Sequence, residues 1–304
     1  MVTNLSAKTS KRADHPIILV TGGSGFIGKY TIVELIRCGF KVRAVGRTSI
    51  ETKLPNLEYV FVDLNEPLPK KTFDNVGVII HLAGIISGAG EKVRAANIKF
   101  MKNLLASCDP KKIKRFIFVS SSKVGLVDDE YAQSKKQAED LLKKSSLHWV
   151  IFRPGMVYGP GDQKNLGMVI SFAKRFGIVP IIGNGNYRLQ PVYVTDVVQA
   201  LVATLETNKF NRQIILLAST RPYRFNEIVS TVFGVIGKKG KTVHIPLSII
   251  LLLTKFLRYF GFITTEQVRS STCDTLVSHS SIWWKKLKIS PTPLELGLKK
   301  TIKG

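Results

Sequence analysis

The sequence predicts an α/β protein built on a parallel, doubly wound sheet, and three features predict it. Short β-branched and aromatic runs alternate with amphipathic stretches, the first run passes straight into a glycine-rich turn, and that turn opens a helical pattern. Strands that alternate with helices pair in parallel through right-handed crossovers. The runs IILV (17–20), KVRAV (41–45), LEYVFV (57–62), VGVIIHLAG (76–84), RFIFVS (115–120) and HWVIFR (148–153) read as buried strands. Amphipathic segments near 26–38, 91–108 and 131–146 lie between some of them and read as crossover helices. After Arg153 the rhythm loosens into the turn-rich PGMVYGPGD and then a mixture of helices and short strands.

A chain of 304 residues can bury a large core. Its 45 Lys and Arg against 21 Asp and Glu leave a net charge of +24. Such a balance favours anionic partners: phosphorylated substrates, nucleic acid or an anionic membrane face. The lysines are scattered, without aromatic interleaving or a recognised module, so nucleic acid is not the expected partner. Cys38, Cys108 and Cys273 are far apart with no histidine at ligand spacing, so neither a disulfide framework nor a metal site is expected, and the natural compartment is the cytoplasm. Residues 1–15 are polar without an apolar core, which reads as a disordered lead-in rather than a secretory signal.

The first run leads into TGGSGFIG, with Gly22, Gly25 and Gly28 in GxxGxxG spacing. A tight turn, a pyrophosphate approaching the backbone and a helix packed close on a strand each suit a residue without Cβ. The helix that begins near Phe26 and Ile27 then aims its N-terminal N–H groups at phosphate. This is the signature of a dinucleotide site. At the end of the second strand, where NAD sites present an acid to the ribose, Gly46 stands instead and Arg47 follows. A cation without an acid suits a 2′-phosphate, so NADP is favoured over NAD. Asp63, after the third strand, is a candidate contact for the adenine.

Tyr131 and Lys135 form YAQSK, an i, i+4 pair on one helical face that can reach one pocket. A phenol with a pKa near 10 is a poor base at neutral pH. An adjacent ammonium and an oxidised nicotinamide would lower that value and let Tyr131 exchange a proton while hydride moves. Ser120, Ser121 and Ser122 stand at the carboxyl end of the fifth strand, where open α/β sheets place ligands. A serine there can bind a substrate oxygen or cap the turn.

In order along the chain, TGGSGFIG, DLN, HLAG, AANIKFMKNLL, VSSSKVG, YAQSK, RPGMVYGPGD and QPVYVTDVVQAL resemble the NAD-dependent epimerase/dehydratase family, the extended branch of the short-chain dehydrogenases. The likeness covers roughly residues 16–240. It implies a Rossmann unit over 16–160 and a smaller substrate lobe over 161–304 interleaved with the last sheet strands. It also implies Ser121, Tyr131 and Lys135 as catalytic residues, with Ser122 the neighbouring substrate contact. Asp63 and Leu64 of DLN, and Leu82, Ala83 and Gly84 of HLAG, fall beside the cofactor. Arg188 falls where sugar epimerases place an arginine on the substrate diphosphate, a role a guanidinium suits because it grips phosphate oxygens bidentately. The implied activity is hydride transfer on a nucleotide- or polyprenyl-linked sugar by an enzyme that pairs as a homodimer.

Three departures stand out. The Ser121–Tyr131 segment is short, the ribose acid is absent, and the chain from Ile245 onward has its own character. The run 245–263 is apolar but broken by Lys255 and Arg258, and Trp283 and Trp284 precede a basic stretch. Two readings stay open there: packing within the substrate lobe, or a peripheral contact with an anionic membrane. Two alternative functions go with this chemistry. One is NADPH-dependent reduction of another carbonyl. The other is a non-catalytic NADPH-binding subunit of a membrane complex, like an accessory subunit of respiratory complex I.

Overall fold

In the computed structural model, which describes residues 16–48, 54–86, 90–205, 207–257 and 265–303, alternation of strand and helix begins at once. The first half runs β1 (Ile17–Thr21), α1 (Phe26–Arg37), β2 (Val42–Gly46), β3 (Leu57–Phe61), β4 (Val76–His81), α2 (Gly90–Ser107), β5 (Arg115–Val119), α3 (Glu130–Lys144) and β6 (Trp149–Pro154). The second half is less regular. It comprises β7 (Val157–Tyr158), α4 (Leu166–Phe176), β8 (Ile178–Ile182), β9 (Arg188–Leu189), β10 (Val192–Tyr193), α5 (Val194–Ala203), β11 (Gln213–Leu217), β12 (Tyr223–Arg224), α6 (Phe225–Ile236) and β13 (Lys241–Ile245). Four helices close it: α7 (Leu247–Leu257), α8 (Thr265–Ser271), α9 (Ser280–Leu287) and α10 (Leu294–Lys303).

Seven strands pair in parallel in the order β11-β6-β5-β4-β1-β2-β3. Successive side chains of a strand point to opposite faces, so each strand feeds two cores. On one face Ile18, Val20, Ile80, Ile117 and Phe152 pack against Ile32 and Leu35 of α1, Val197 and Leu201 of α5, and Trp284 of α9. On the other, Leu19, Ile79, Phe116 and Ile151 pack against Met101 and Leu104 of α2 and Ala138 and Leu142 of α3. The sheet is therefore doubly wound, as the alternation predicts. A third core joins Leu166, Ile170, Val179, Ile181, Val229, Val232 and Leu298, from α4, β8, α6 and α10.

The order reverses between β1 and β4, which opens the crevice where such sheets bind ligands. The strand expected over 76–84 stops at His81. Beyond it the backbone is taken over by side chains: Thr21 Oγ1 accepts from Ala83 N at 3.2 Å, and Asn97 Oδ1 accepts from Ile85 N at 2.8 Å.

Of the two readings left open at the tryptophans, the structure has packing. Trp284 is buried and its indole N–H donates to Ala218 O at 2.7 Å, while Trp283 packs partly buried against the same core beneath Lys286. The apolar run from 245 begins as the end of β13 and continues as α7, whose Ile249 and Leu252 are exposed. Residues 1–15 and 258–263, which include Arg258, lie outside the described residues. No helix among the described residues is long and apolar enough to cross a membrane. Among the described residues Cys38, Cys108 and Cys273 form no disulfide.

Candidate functional site

The glycine turn fits a pyrophosphate. Gly22 has φ +71°, and a Cβ there would come within 2.6 Å of Ala83 N. A Cβ on Gly28 would collide with the backbone of Gly22. Gly25 caps α1 without a side-chain hydrogen bond, and no acid stands in the first turn that carries Phe26 and Ile27. The helix start is therefore left free of the chain's own anions, which suits a bound one.

At the ribose end, Tyr59 Oη donates to Gly46 O at 2.6 Å and Arg47 is exposed. A Cβ on Gly46 would find only Tyr59 Oη, at 3.8 Å, so the missing acid is not a matter of space. Asp63 accepts from Asn65 N at 2.9 Å and Asn65 Nδ2 at 3.0 Å, closing a turn. The Asn65 backbone amide leads in holding this carboxyl below its usual range, with Arg47 contributing. Leu64 is buried behind it, its carbonyl bound by Asn103.

Across the crevice, α3 brings the expected pair together. Lys135 is buried, and its Nζ donates to Val119 O at 3.0 Å, lies 4.8 Å from the Phe118 ring centre and would stand 3.2 Å from a Cβ on Gly84. It therefore sits directly beneath the Leu82–Gly84 loop. Asn97 fixes that loop to α3, donating to Ile85 O and Ser134 Oγ at 3.0 Å each. Burial pulls the Lys135 ammonium down to about 8, against the opposing field of Glu139. His81, next to the loop, is 2.7 Å from Thr21 Oγ1 and stacked on Phe118. Burial and the nearby Lys135 push it down to about 3, so it is a neutral packing residue.

Tyr131 differs from expectation. Burial and the Asp129 carboxylate push its phenol up to about 12, with a hydrogen bond to Ser121 opposing them. The lysine does not offset them: Lys135 Nζ is aimed at Val119 O and stands 5.9 Å from the Tyr131 ring centre. With the chain's own residues alone the phenol keeps its proton at neutral pH.

The three serines separate cleanly. Ser120 turns away and donates to Glu139 Oε1 at 2.6 Å. Ser121 faces Tyr131 and accepts from Lys123 N at 3.2 Å. Ser122 is buried with its amide on Pro154 O. Arg188 is not free for a ligand as the fold stands, because Asp274 Oδ2 accepts from its Nε at 2.9 Å and from its Nη2 at 2.7 Å.

Several supporting residues escaped the sequence reading. Glu139 is fully buried, bound to Ser120, Arg153 at 2.6 and 2.8 Å, and Lys143 at 3.2 Å. Its spacing four residues beyond Lys135 was the available signal. Asp129 caps α3, accepting from Ala132 N at 2.7 Å, and pairs with Lys123 at 3.2 Å. Lys123 also donates to Ser270 of α8, so the C-terminal part reaches the start of α3. Burial alone would raise the Asp129 carboxyl, but Ser270, the Ala132 amide and Lys123 together hold it below the usual range.

The sequence profile of the NAD dependent epimerase/dehydratase family matches residues 18–218. A UDP-glucose 4-epimerase of Vibrio cholerae is 26% identical over 93% of this chain and 94% of its own length. A mitochondrial NADH dehydrogenase [ubiquinone] 1 alpha subcomplex subunit 9 of Arabidopsis thaliana is 23% identical over 92% of this chain and 75% of that protein. Among solved structures, the UDP-glucuronic acid 4-epimerase of Bacillus cereus, in complex with UDP-glucuronic acid and NAD, superposes with a TM-score of 0.78. It shares 20% identity, over 94% of this chain and 98% of the other, and the likeness speaks to the fold.

Proposed function

The chain belongs to the NAD dependent epimerase/dehydratase family and is a nicotinamide-dinucleotide-dependent enzyme of that kind, and we propose that it moves hydride on a sugar carried by a nucleotide or polyprenyl diphosphate, with Tyr131 as acid/base. The observation that carries this is that Tyr131 is hydrogen-bonded to Ser121 one helical turn from Lys135, whose ammonium lies beneath the Leu82–Gly84 loop that abuts the glycine turn.

Gly22, Gly25, Phe26, Ile27 and Gly28 would hold the pyrophosphate end of the dinucleotide, and Arg47, Asp63 and Leu64 its adenosine. Leu82, Ala83, Gly84 and Lys135 would hold the nicotinamide end. When bound, the cofactor accepts or supplies the hydride, and in its oxidised form adds positive charge beside the phenol. Tyr131 carries the proton at its Oη, ready to donate it to a carbonyl oxygen or, with its acidity raised, to take one from a hydroxyl. Ser121, already hydrogen-bonded to Tyr131, would orient the same substrate oxygen. Lys135 would fix the ribose side, and its charge would lower the cost of phenolate once its Nζ leaves Val119 O for the bound ribose. Arg47, with no acid beside it at Gly46, supports NADP over NAD.

A second reading has one observation in its favour. Asp274 occupies the arginine proposed for the diphosphate, which suits reduction of a carbonyl substrate without phosphate. Turnover decides between them. The protein is incubated with NAD(P)+ or NAD(P)H and either UDP-sugars and polyprenyl-diphosphate sugars or uncharged ketones, and cofactor absorbance and product identity are followed. Conversion of a diphosphate-linked sugar, lost in Arg188→Ala, supports the first reading. Conversion of uncharged ketones alone, indifferent to Arg188→Ala, replaces it with the second.

A further inference from the structure

The outer side of the third core is unusual for a soluble surface. Helix α4 turns Leu166, Ile170 and Ala173 inward and leaves Met168, Phe172 and Phe176 exposed at intervals of one turn. The two phenylalanine rings are 5.6 Å apart, and Phe176 is 57% exposed. The chain then enters β8, which pairs in parallel with β13 in the register Ile178↔Lys241, Pro180↔Val243 and Ile182↔Ile245. Val179 and Ile181 are buried in the lobe core, so by strand alternation Ile178, Pro180 and Val243 share the opposite face, and all three are exposed. Helix α7 follows directly and exposes Ile249 and Leu252, the latter 63%.

Basic residues surround these apolar groups. Lys238 Nζ donates to Lys174 O at 3.1 Å, Lys241 N donates to Gly177 O at 2.9 Å, and Arg175 lies 5.3 Å from the Phe176 ring centre. Lys174, Arg175, Lys238 and Lys241 therefore gather around the carboxyl end of α4, with Lys239 adjacent in sequence. Neither of the two segments that build this face carries a countercharge: there is no Asp or Glu between Asp162 and Asp196, nor between Glu227 and Glu266. A helix dipole accounts for cations at the end of α4 but not for phenylalanines left in water beside them. A contiguous exposed apolar area rimmed by charge of one sign marks an interaction surface.

We infer that the outer face of α4, β8 and β13, continued by α7, docks on the anionic leaflet of a lipid bilayer. Phe172, Phe176, Ile178 and Val243 enter the interfacial layer, and Lys174, Arg175, Lys238 and Lys241 meet headgroup phosphates. Shallow insertion of rings and aliphatic groups beside lysines is the composition that gives reversible surface binding. Nucleic acid suits the charge, but exposed isoleucine, valine and leucine gain little from it. The contact thus moves away from Trp284, which the core retains. The proposal makes no use of the acid/base assignment.

The test is co-sedimentation of the full-length protein with phosphatidylcholine vesicles, with and without phosphatidylglycerol, at low and high salt. Wild type is expected to bind only the anionic vesicles and to release with salt. Phe172→Ser/Phe176→Ser and Lys238→Glu/Lys239→Glu are each expected to weaken binding by about tenfold or more. Lys70→Glu/Lys71→Glu, an equal change of charge at exposed residues elsewhere, should stay within about twofold. Equal binding to neutral vesicles, or an equal loss from the Lys70/Lys71 pair, overturns the proposal. So does duplex RNA bound as tightly as vesicles by wild type and the phenylalanine variant alike. Sedimentation velocity adds one more outcome: a dimer that becomes monomer in Phe172→Ser/Phe176→Ser assigns the face to self-association instead. Turnover is not read, so failure here leaves the active-site proposal standing.

Discussion

Arg188 and Asp274, 86 residues apart, meet through three hydrogen bonds: one carboxylate oxygen takes both Nε and Nη2 of the guanidinium, and the other takes the Arg188 backbone N–H at 2.7 Å. The arginine holds the Asp274 carboxyl below its usual range. Both side chains are about half exposed, so the pair is of the kind worth about 1 kcal/mol at most. A dianionic group can therefore compete for Arg188.

Removing the competitor should show it. Asp274→Ala is expected to tighten binding of UDP by up to about fivefold in calorimetric titration, and Arg188→Ala to weaken it. UDP affinity unchanged by both substitutions would mean that the arginine serves only to hold the 272–277 segment.

Tyr131→Phe deletes the hydroxyl proposed to carry the proton and keeps the ring. Turnover should fall by about 10²–10⁴-fold, while affinity for the dinucleotide stays within about twofold. A variant that turns over near the wild-type rate would remove Tyr131 from the chemistry.

Lys135 ties pH to stability. Its ammonium is pulled down to about 8 in the folded chain, from an ordinary value near 10.5, so between those values the unfolded chain binds more protons. Stability contributed at this position is lowest below pH 8 and recovers as pH rises toward 10.5, by at most about 3 kcal/mol. Lys135→Met lacks that dependence. Urea unfolding of both proteins at pH 7 and pH 9.5 should show wild type gaining on the variant. A constant difference would mean that the buried lysine is better solvated than its surroundings suggest.

The cofactor preference rests on two adjacent positions. Space around Gly46 admits a side chain, so Gly46→Asp combined with Arg47→Ala should reverse a preference for NADP by about tenfold or more in titrations of both dinucleotides. Wild type that already binds NAD as tightly, with no change in Arg47→Ala, would show that the arginine only faces solvent.

Much of this was legible before any coordinates. Strand and helix alternation marked six of the seven sheet strands to within a residue or two, except at Leu82–Gly84. That loop looks like strand because it is apolar, yet its amides are claimed by Thr21 and Asn97, which no local pattern reveals. The Tyr131–Lys135 pair was legible because helical periodicity is local. The direction of the phenol's shift was not, because it depends on burial in the folded chain and on Asp129, a capping residue two positions away. Asp274 was invisible for the plainest reason: its partner is 86 residues distant. At Trp284 packing and an interfacial contact both stayed open, because its partner carbonyl, Ala218, belongs to the distant segment that follows β11.

Strand β11 joins the sheet at β6, in the register Gln213↔Val150 through Leu217↔Pro154, after α4, β8 and α5 have intervened. During synthesis β6 therefore emerges long before the strand that covers it. Until residue 217 leaves the ribosome, Trp149–Pro154 presents a bare row of amides and carbonyls beside apolar side chains, an open template for pairing with a neighbouring chain. Closing that long loop is a late and entropically demanding event in folding. A fragment ending near residue 160 would keep the glycine turn and the Tyr131 helix yet is expected to aggregate. The portion that carries the proposed proton and hydride chemistry would then be the portion least able to live alone.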